Sequence, residues 1–161
     1  MYRVHGDSLQ RLDRGDFISP QTPAMHPDGR HVFVPDYTRG IGLLDIATKE
    51  LTWLGSSGSK PYALGGVDGL YFDHGWLILV QNGASPERVL RLQLDSTLSR
   101  IVTEQVIERA TPTLGDPTHG VIVGDSLYYI ANSDWNQLDD HGVLLPGASL
   151  TPARIMRFQV R

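Results

Sequence analysis

The feature that most constrains this chain is a repeat of short apolar segments separated by tight turns. Each copy has a polar residue, an apolar segment, a turn rich in Asp, Gly or His, a second apolar segment and a polar end. Gly and Asp tolerate the positive φ of hairpin turns, so each copy predicts two antiparallel strands. The three copies are QTPAMHPDGRHVFVPDY (21–37), VDGLYFDHGWLILVQN (67–82) and THGVIVGDSLYYIANS (118–133).

A third apolar segment follows each copy and gives the period of the repeat. Between the aligned positions 3, 43, 91 and 157 the intervals are 40, 48 and 66 residues. A four-stranded blade of a β-propeller usually takes about 40 to 50 residues. The repeat therefore predicts an all-β chain built of β-propeller blades. The aligned third segments are MYRVH (1–5), GIGLLDI (40–46), RVLRLQL (88–94) and RIMRFQV (154–160).

The strand count predicts about three four-stranded antiparallel blades that form the C-terminal half of a six-bladed propeller. The last interval is long because it contains a loop, residues 133–153. Closing the ring requires the missing half or self-association with another copy, whereas an open arc would expose strand edges. Fourth strands are predicted at 9–12, 51–54 and 101–108. The predicted units are strands c and d of an incomplete blade (1–14), two full blades (15–56 and 57–110) and a blade without its last strand (111–161).

Charge and hydropathy exclude two classes of partner. Fourteen Lys and Arg against eighteen Asp and Glu give a net charge of −4 without basic runs, so we predict no nucleic-acid partner. The longest apolar run, residues 76–80, is far shorter than the ~20 residues of a membrane span, so we predict no membrane partner. No apolar h-region opens the chain, which favours a cytoplasmic location. The absence of Cys leaves a periplasmic or secreted location open.

The propeller topology predicts one polar site, at the mouth of the central channel. There the starts of the innermost strands and the ends of the second strands open on the same face. Carboxylate and amide oxygens are typical Ca²⁺ ligands, so this mouth is a candidate site for a hard cation. Trp135, in the long loop, is a candidate pocket wall. The strand starts carry Gln21, Asp68 and His119, and the strand ends carry Asp36, Gln81 and Asn132, with Tyr37, Asn82 and Ser133 beside them.

A purely structural role stays open at these positions. Asp68 precedes Gly69 in a common turn signal, and Asp36 follows Pro35 and could cap a turn. The amides could satisfy the backbone of nearby loops, as polar groups in such places generally must. Two histidines flank the PDGR turn, at 26 and 31, but match no HExxH pattern, so we predict no metal role for them.

Four segments carry a resemblance to a known family. PQTPAMHPDGRHVFVPDY, VDGLYFDHGWLILVQNG, RVLRLQLD and LYYIANSDW resemble the C-terminal half of the six-bladed propellers of the regucalcin and gluconolactonase family. The likeness is greatest to bacterial members of unknown activity that carry IDGLY and YYIANSQW segments. It runs over nearly the whole chain.

The resemblance implies a divalent cation, often Ca²⁺, that helps to open a sugar lactone by polarising its carbonyl and activating water. It implies that Asp68 is a ligand and catalytic base, and that Gln21 occupies the position of a ligand asparagine, with Thr22 in place of the usual Gly. The family's glutamate ligand has no counterpart in this sequence. Two readings follow: a metal-dependent lactone hydrolase whose site is incomplete within this chain, or a non-catalytic propeller that binds a small molecule or a protein across its mouth.

Overall fold

The computed structural model of the chain describes residues 1–56 and 62–160, in which sheets follow one another along the sequence. Within the first two sheets every strand pairs with the strand next to it in sequence, and every pair is antiparallel. The first sheet contains β1 (Tyr2–His5) and β2 (Ser8–Arg11), and the second contains β3 (Ala24–Met25), β4 (His31–Asp36), β5 (Gly40–Asp45) and β6 (Leu51–Trp53).

The third sheet is a four-stranded antiparallel meander with one short addition. The added strand, β7 (Gly55–Ser56), pairs in parallel with the beginning of the outermost strand of this sheet. The fourth sheet has three antiparallel strands. The meander consists of β8 (Val67–Asp73), β9 (Trp76–Gln81), β10 (Arg88–Leu94) and β11 (Arg100–Arg109), and the fourth sheet of β12 (Gly120–Val123), β13 (Ser126–Asn132) and β14 (Arg154–Gln159).

The described residues form the all-β, blade-like fold that the repeat predicts, and they contain no α-helix. The predicted loop 133–153 separates β13 from β14 and holds one 3₁₀ turn, Trp135–Gln137. The strand β7 was not predicted, because Gly-Ser carries no apolar pattern. The predicted start of a blade at residue 57 lies outside the described residues. No helix in the described part of the chain has the length and hydropathy needed to cross a membrane.

The apolar core lies between the sheets rather than on one side of each. Successive side chains of a strand point to opposite faces. In β9, Leu77 and Leu79 therefore pack with the second sheet, whereas Ile78 and Val80 pack with the fourth. All four are essentially buried, and each stabilises the fold by roughly 1.5–3 kcal/mol. The uninterrupted run WLILV is thus a strand that is covered on both faces.

The two end sheets present apolar side chains to solvent. In the fourth sheet, Val121, Val123 and Ile155 are all more than half exposed. In the first sheet the same holds for Tyr2, Val4 and Leu9. These faces correspond to the faces that the inner sheets bury against their neighbours.

Glu108 links the third sheet to the fourth. Its carboxylate accepts hydrogen bonds from the hydroxyls of Tyr129, Thr111 and Thr113. Burial alone would raise the pKa of Glu108, but the three hydroxyl donors outweigh burial and hold it below its ordinary value. Burial, and then the neighbouring Glu108 carboxylate, raise the pKa of Tyr129. The ionised carboxylate and the protonated phenol therefore stabilise the packing of the two blades.

Tyr129→Phe should lower the free energy of unfolding by about 1.5–3 kcal/mol, the usual range for a hydrogen bond to a charged group. Because the pKa of Glu108 is lowered on folding, its contribution is complete above the ordinary carboxylate pKa of about 4.3 and is lost as the pH falls through the folded-state value. Urea denaturation at several pH values measures both effects. Tyr128→Phe, on the opposite face of β13, is the control. A loss as large for Tyr128→Phe would contradict the assignment.

Candidate functional site

Asp68 lies in a β-bulge at the beginning of β8. Val67 pairs with Gln81 and Gly69 pairs with Val80, so Asp68 is an additional residue on the bulged strand. A bulge bends the strand and re-aims its side chain, and bulges are frequent beside functional sites. The Asp68 side chain is partly buried.

Residues beside three sheets form one hydrogen-bonded group that includes Asp68. Its Oδ2 accepts a hydrogen bond from the hydroxyl of Thr118 at 2.7 Å and another from the amide of Asn82 at 3.3 Å. The amide oxygen of Asn82 accepts a hydrogen bond from the hydroxyl of Tyr37 at 3.0 Å. Tyr37 follows β4, Asn82 follows β9 and Thr118 precedes β12. We call these four residues the Asp68 cluster.

The starts of the innermost strands also contact one another directly. The hydroxyl of Thr22 lies 3.3 Å from Nδ1 of His119, although the two residues are 97 positions apart. The hydroxyl of Tyr71 accepts a hydrogen bond from the backbone N–H of Gly120 at 2.5 Å. A Cβ at Gly69 would lie 2.8 Å from that hydroxyl, so glycine leaves the space in which Tyr71 reaches the next sheet. The strand starts therefore converge on one region.

This region carries negative charge. Burial raises the pKa of Tyr37, and the charges of Asp68, Asp116 and Glu87 raise it further. The carboxylate of Glu87 also accepts the backbone N–H of Asp116 at 2.9 Å. An open cleft of about 550 Å³ adjoins the cluster and is lined by Asn82, Gly83, Ala84, Ser85, Pro86, Glu87, Ala110 and Leu114. Carboxylates around such a cleft favour a cationic or hydroxyl-bearing ligand.

Asp36 has a structural role, because its carboxylate binds the backbone around its own loop. It is 0% exposed, and its two carboxylate oxygens accept four backbone N–H groups, from Ile18, Ser19, Thr38 and Arg39, at 2.6 to 3.0 Å. Burial alone would raise the pKa of Asp36, but these donors lower it below its ordinary value. This geometry favours the structural alternative, and we leave Asp36 out of the candidate site.

The two amides at equivalent strand ends behave in the same way. Gln81 is 0% exposed; it donates to the carbonyls of residues 63 and 65 and accepts from Nε of Arg88 at 2.5 Å. Asn132 donates to the hydroxyl of Thr151 at 2.8 Å and accepts the backbone N–H of Arg154 at 2.7 Å. Both amides hold the loops that lead into the neighbouring strands. They too are left out of the candidate site.

The remaining predicted residues are not joined to Asp68 by a hydrogen bond within the described residues. The amide of Gln21 donates to the hydroxyl of Ser19 at 3.3 Å. Trp135 is 64% exposed at the start of the 3₁₀ turn. His119 is exposed and contacts Thr22. The predicted roles of Gln21 as a metal ligand and of Trp135 as a pocket wall stay predictions.

The oxygens of the Asp68 cluster suit a hard cation in kind but not in number. They comprise one carboxylate, two hydroxyls and one amide carbonyl, whereas Ca²⁺ takes six to eight oxygen ligands. Asp68, Thr118 and Asn82 would hold the cation, and water or further protein groups would complete its shell. Thr118, which the sequence reasoning missed, adjoins His119 in the predicted set and reaches Asp68 from 50 positions away in the chain.

The structure also shows a cluster to which the sequence reasoning assigned no role. The potential ligand atoms of His26, Asp28 and His31 all lie within 4.8 Å of one another, and within the described ranges no other such group of three His, Asp or Glu side chains was found. The signal in the sequence is HPDGRH, in which a tight turn brings the first and last residues together.

The repeated sheets and converging strand starts define a β-propeller protein. The aldose sugar dehydrogenase from Streptomyces coelicolor, in its PQQ-bound form, matches with a TM-score of 0.62 and 20% identity over 93% of this chain and 47% of that chain. A chain of the nidogen/laminin complex matches with a TM-score of 0.61 and 17% identity over 79% of this chain and 46% of that chain. An oxidoreductase of the glucose dehydrogenase type from Thermus thermophilus matches with a TM-score of 0.51 and 20% identity over 86% of this chain and 44% of that chain.

These neighbours are β-propeller proteins, and at this level of identity the likeness shows the fold alone. The chain spans about half the length of the structures that it matches. No protein-family model matches the chain, and no curated protein matches it.

Asp36→Asn and Asp68→Asn should separate a structural carboxylate from a candidate functional one. Asparagine offers one acceptor oxygen where Asp36 uses two, so two backbone N–H groups lose their partners. We expect a loss of about 2–6 kcal/mol of unfolding free energy, at about 1–3 kcal/mol for each of the two unsatisfied donors. Asp68→Asn should cost less than about 1 kcal/mol, since Thr118 and Asn82 both donate to a single oxygen, Oδ2, and asparagine keeps one acceptor oxygen. Urea denaturation at neutral pH measures both, and equal losses would contradict the distinction.

Proposed function

We propose that the chain is part of a six-bladed propeller that binds a small polyhydroxylated ligand, of the sugar or sugar-lactone class, at the Asp68 cluster. The observation that carries this proposal is the bulged carboxylate of Asp68, which meets Asn82 and Thr118 from the neighbouring strand and sheet. The membership in the regucalcin and gluconolactonase family that the sequence suggests is part of the same proposal.

The chemistry of the cluster matches such a ligand. A sugar hydroxyl both donates and accepts hydrogen bonds, and the cluster offers a carboxylate acceptor, an amide and two hydroxyls in one place. Thr118 and Asn82 both donate to Oδ2 of Asp68, which leaves the second oxygen, Oδ1, to accept from a ligand hydroxyl. The imidazole of His119, which lies beside Thr118 and directly precedes β12, provides a further donor or acceptor.

A second candidate function is the hydrolysis of a sugar lactone, which the position of Asp68 at a DG strand start favours. When bound, a divalent cation would supply Lewis-acid polarisation of the lactone carbonyl. Asp68 would then act either as a ligand or, through Oδ1, as the base that accepts a proton from water. Tyr37 would hold Asn82 in place through its hydroxyl. The donor set within the described residues is too small for a complete hydrolytic site, so this activity would need groups from further blades.

Further blades would also cover the apolar faces of the end sheets, whether they come from the missing half of the ring or from a second copy. Exposed Val121, Val123 and Ile155 occupy the face of the fourth sheet that a neighbouring blade would bury. The fold neighbours are about twice as long as this chain, which supports the same proposal.

The binding site can be tested by thermal unfolding with a sugar lactone, with millimolar Ca²⁺, with both and with neither. A ligand present at 100 times its dissociation constant should add about 2.7 kcal/mol of stability. Asp68→Asn should remove the effect, whereas Asp140→Asn, an exposed aspartate of the long loop, should keep it. A shift with lactone alone supports binding, and a shift that needs Ca²⁺ supports the cation-dependent site. No shift under any condition, or an equal shift in Asp68→Asn, would overturn the proposal.

A further inference from the structure

The hairpin between β3 and β4 carries a group of potential metal ligands far from the Asp68 cluster. The ring of His26 contacts Phe72, four residues along β8 from Asp68, with the ring centroids 5.1 Å apart. At about 3.3 Å per residue, that contact lies about 13 Å along the strand from Asp68. The hairpin is therefore at the opposite end of the innermost strands.

Three side chains of the hairpin meet at one carboxylate oxygen. Nδ1 of His31 lies 2.6 Å from Oδ2 of Asp28, and Nδ1 of His26 lies 3.0 Å from the same atom. All three are reachable from solvent, with 27%, 19% and 36% of the His31, His26 and Asp28 side chains exposed. An ion could enter without any rearrangement of the blades.

The surrounding structure fixes these ligands in place. The other Asp28 oxygen, Oδ1, accepts the backbone N–H groups of Arg30 at 2.8 Å and His31 at 2.9 Å. The His26 ring packs edge-on against Phe33 and Phe72. Such contacts outside the ligand set orient ligands and strengthen metal binding. The aspartate and one histidine are thus held in the orientation that binding requires.

The neighbouring cationic side chain, Arg30, is directed elsewhere. Nε of Arg30 donates to Oδ2 of Asp45 at 2.8 Å, and the guanidinium also contacts that oxygen through a second nitrogen. An aspartate carboxylate, with an ordinary pKa of about 3.9, is ionised at neutral pH. The group therefore combines one negative charge with two imidazoles.

We propose that His26, Asp28 and His31 bind one transition-metal ion of the Zn²⁺ and Co²⁺ class. Metal–ligand bonds of about 2.0–2.2 Å in a tetrahedral site require each histidine Nδ1 to move away from Oδ2 of Asp28 by only a few tenths of an ångström to about 1 Å. Imidazole nitrogen suits Zn²⁺, Cu²⁺ and Ni²⁺, whereas Ca²⁺ and Mg²⁺ prefer oxygen. Water would occupy the fourth position. The ion would tie together the two strands of the hairpin beside the apolar core.

The equivalent turn of the next blade provides an internal control. There, between β8 and β9, Nδ1 of His74 lies 2.9 Å from Oδ1 of Asp73, but this turn has a single histidine. One histidine and one carboxylate make a weak site, so His74 should contribute nothing to binding. The two turns also differ in length, because five residues separate β3 from β4 and only two, His74 and Gly75, separate β8 from β9.

The test is titration with Co²⁺, followed by its visible absorption, and with Zn²⁺, followed by calorimetry, at about pH 7.5, where an ordinary imidazole is mostly neutral. We expect one ion per chain in the wild type and in His74→Gln. His26→Gln and His31→Gln should each weaken binding at least about tenfold, because each removes one of three ligands. Ca²⁺ should not compete, which separates this site from the Asp68 cluster.

Asp28→Asn is the variant that should remove a ligand and still fold. Asparagine keeps an oxygen that can accept the N–H groups of residues 30 and 31, so the hairpin should form while the charged ligand is lost. Circular dichroism verifies the fold of each variant. Absence of Co²⁺ binding by the wild type, or binding of equal strength in His26→Gln, His31→Gln and Asp28→Asn, would overturn the proposal. It does not depend on the function proposed for the Asp68 cluster.

Discussion

The fold depends on sheets that bury both of their faces. Each inner sheet must pack against a neighbour on either side, because strands such as β9 point leucines to one face and Ile78 and Val80 to the other. Sheets stacked in this way around an axis place the beginnings of their innermost strands side by side. The contact between Thr22 and His119, 97 positions apart in the chain, is a direct consequence of this packing. The position of the candidate site therefore follows from the core.

Close backbone packing at the mouth then fixes the functional side chains. A Cβ at Gly83 would lie 2.6 Å from Cα of Gly66 and 2.6 Å from the hydroxyl of Tyr37, so the loops of two blades touch where a larger residue could not fit. This contact positions Asn82 and Tyr37 next to Asp68. Asp68 itself lies on a strand, and a group on a strand is held more firmly than one on a loop. The fold itself therefore sets the positions of these side chains at the mouth.

The sequence predicted the strands well because alternation and turn residues are local signals. It did not predict which way the polar residues at the strand ends would point. Asp36, Gln81 and Asn132 are where the repeat places them, but buried loop backbone must be satisfied, and these side chains satisfy it. The bulge at Asp68 could not be predicted from the sequence either. A bulge is a property of the register between two strands, and one strand alone does not reveal it.

The two ends of the blades differ in the chemistry they offer, and the difference follows from their local structure. The mouth is made of loops from several blades, so its oxygens come from far apart in the sequence and no short motif marks it. The opposite end is made of hairpin turns, and the turn between β3 and β4 places three potential ligands within six consecutive residues. HPDGRH escapes a search for HExxH because that pattern assumes helical spacing, whereas a hairpin brings residues i and i+5 across the turn. A histidine pair across a hairpin turn therefore places two imidazoles close enough for the single ion that we propose to bind there.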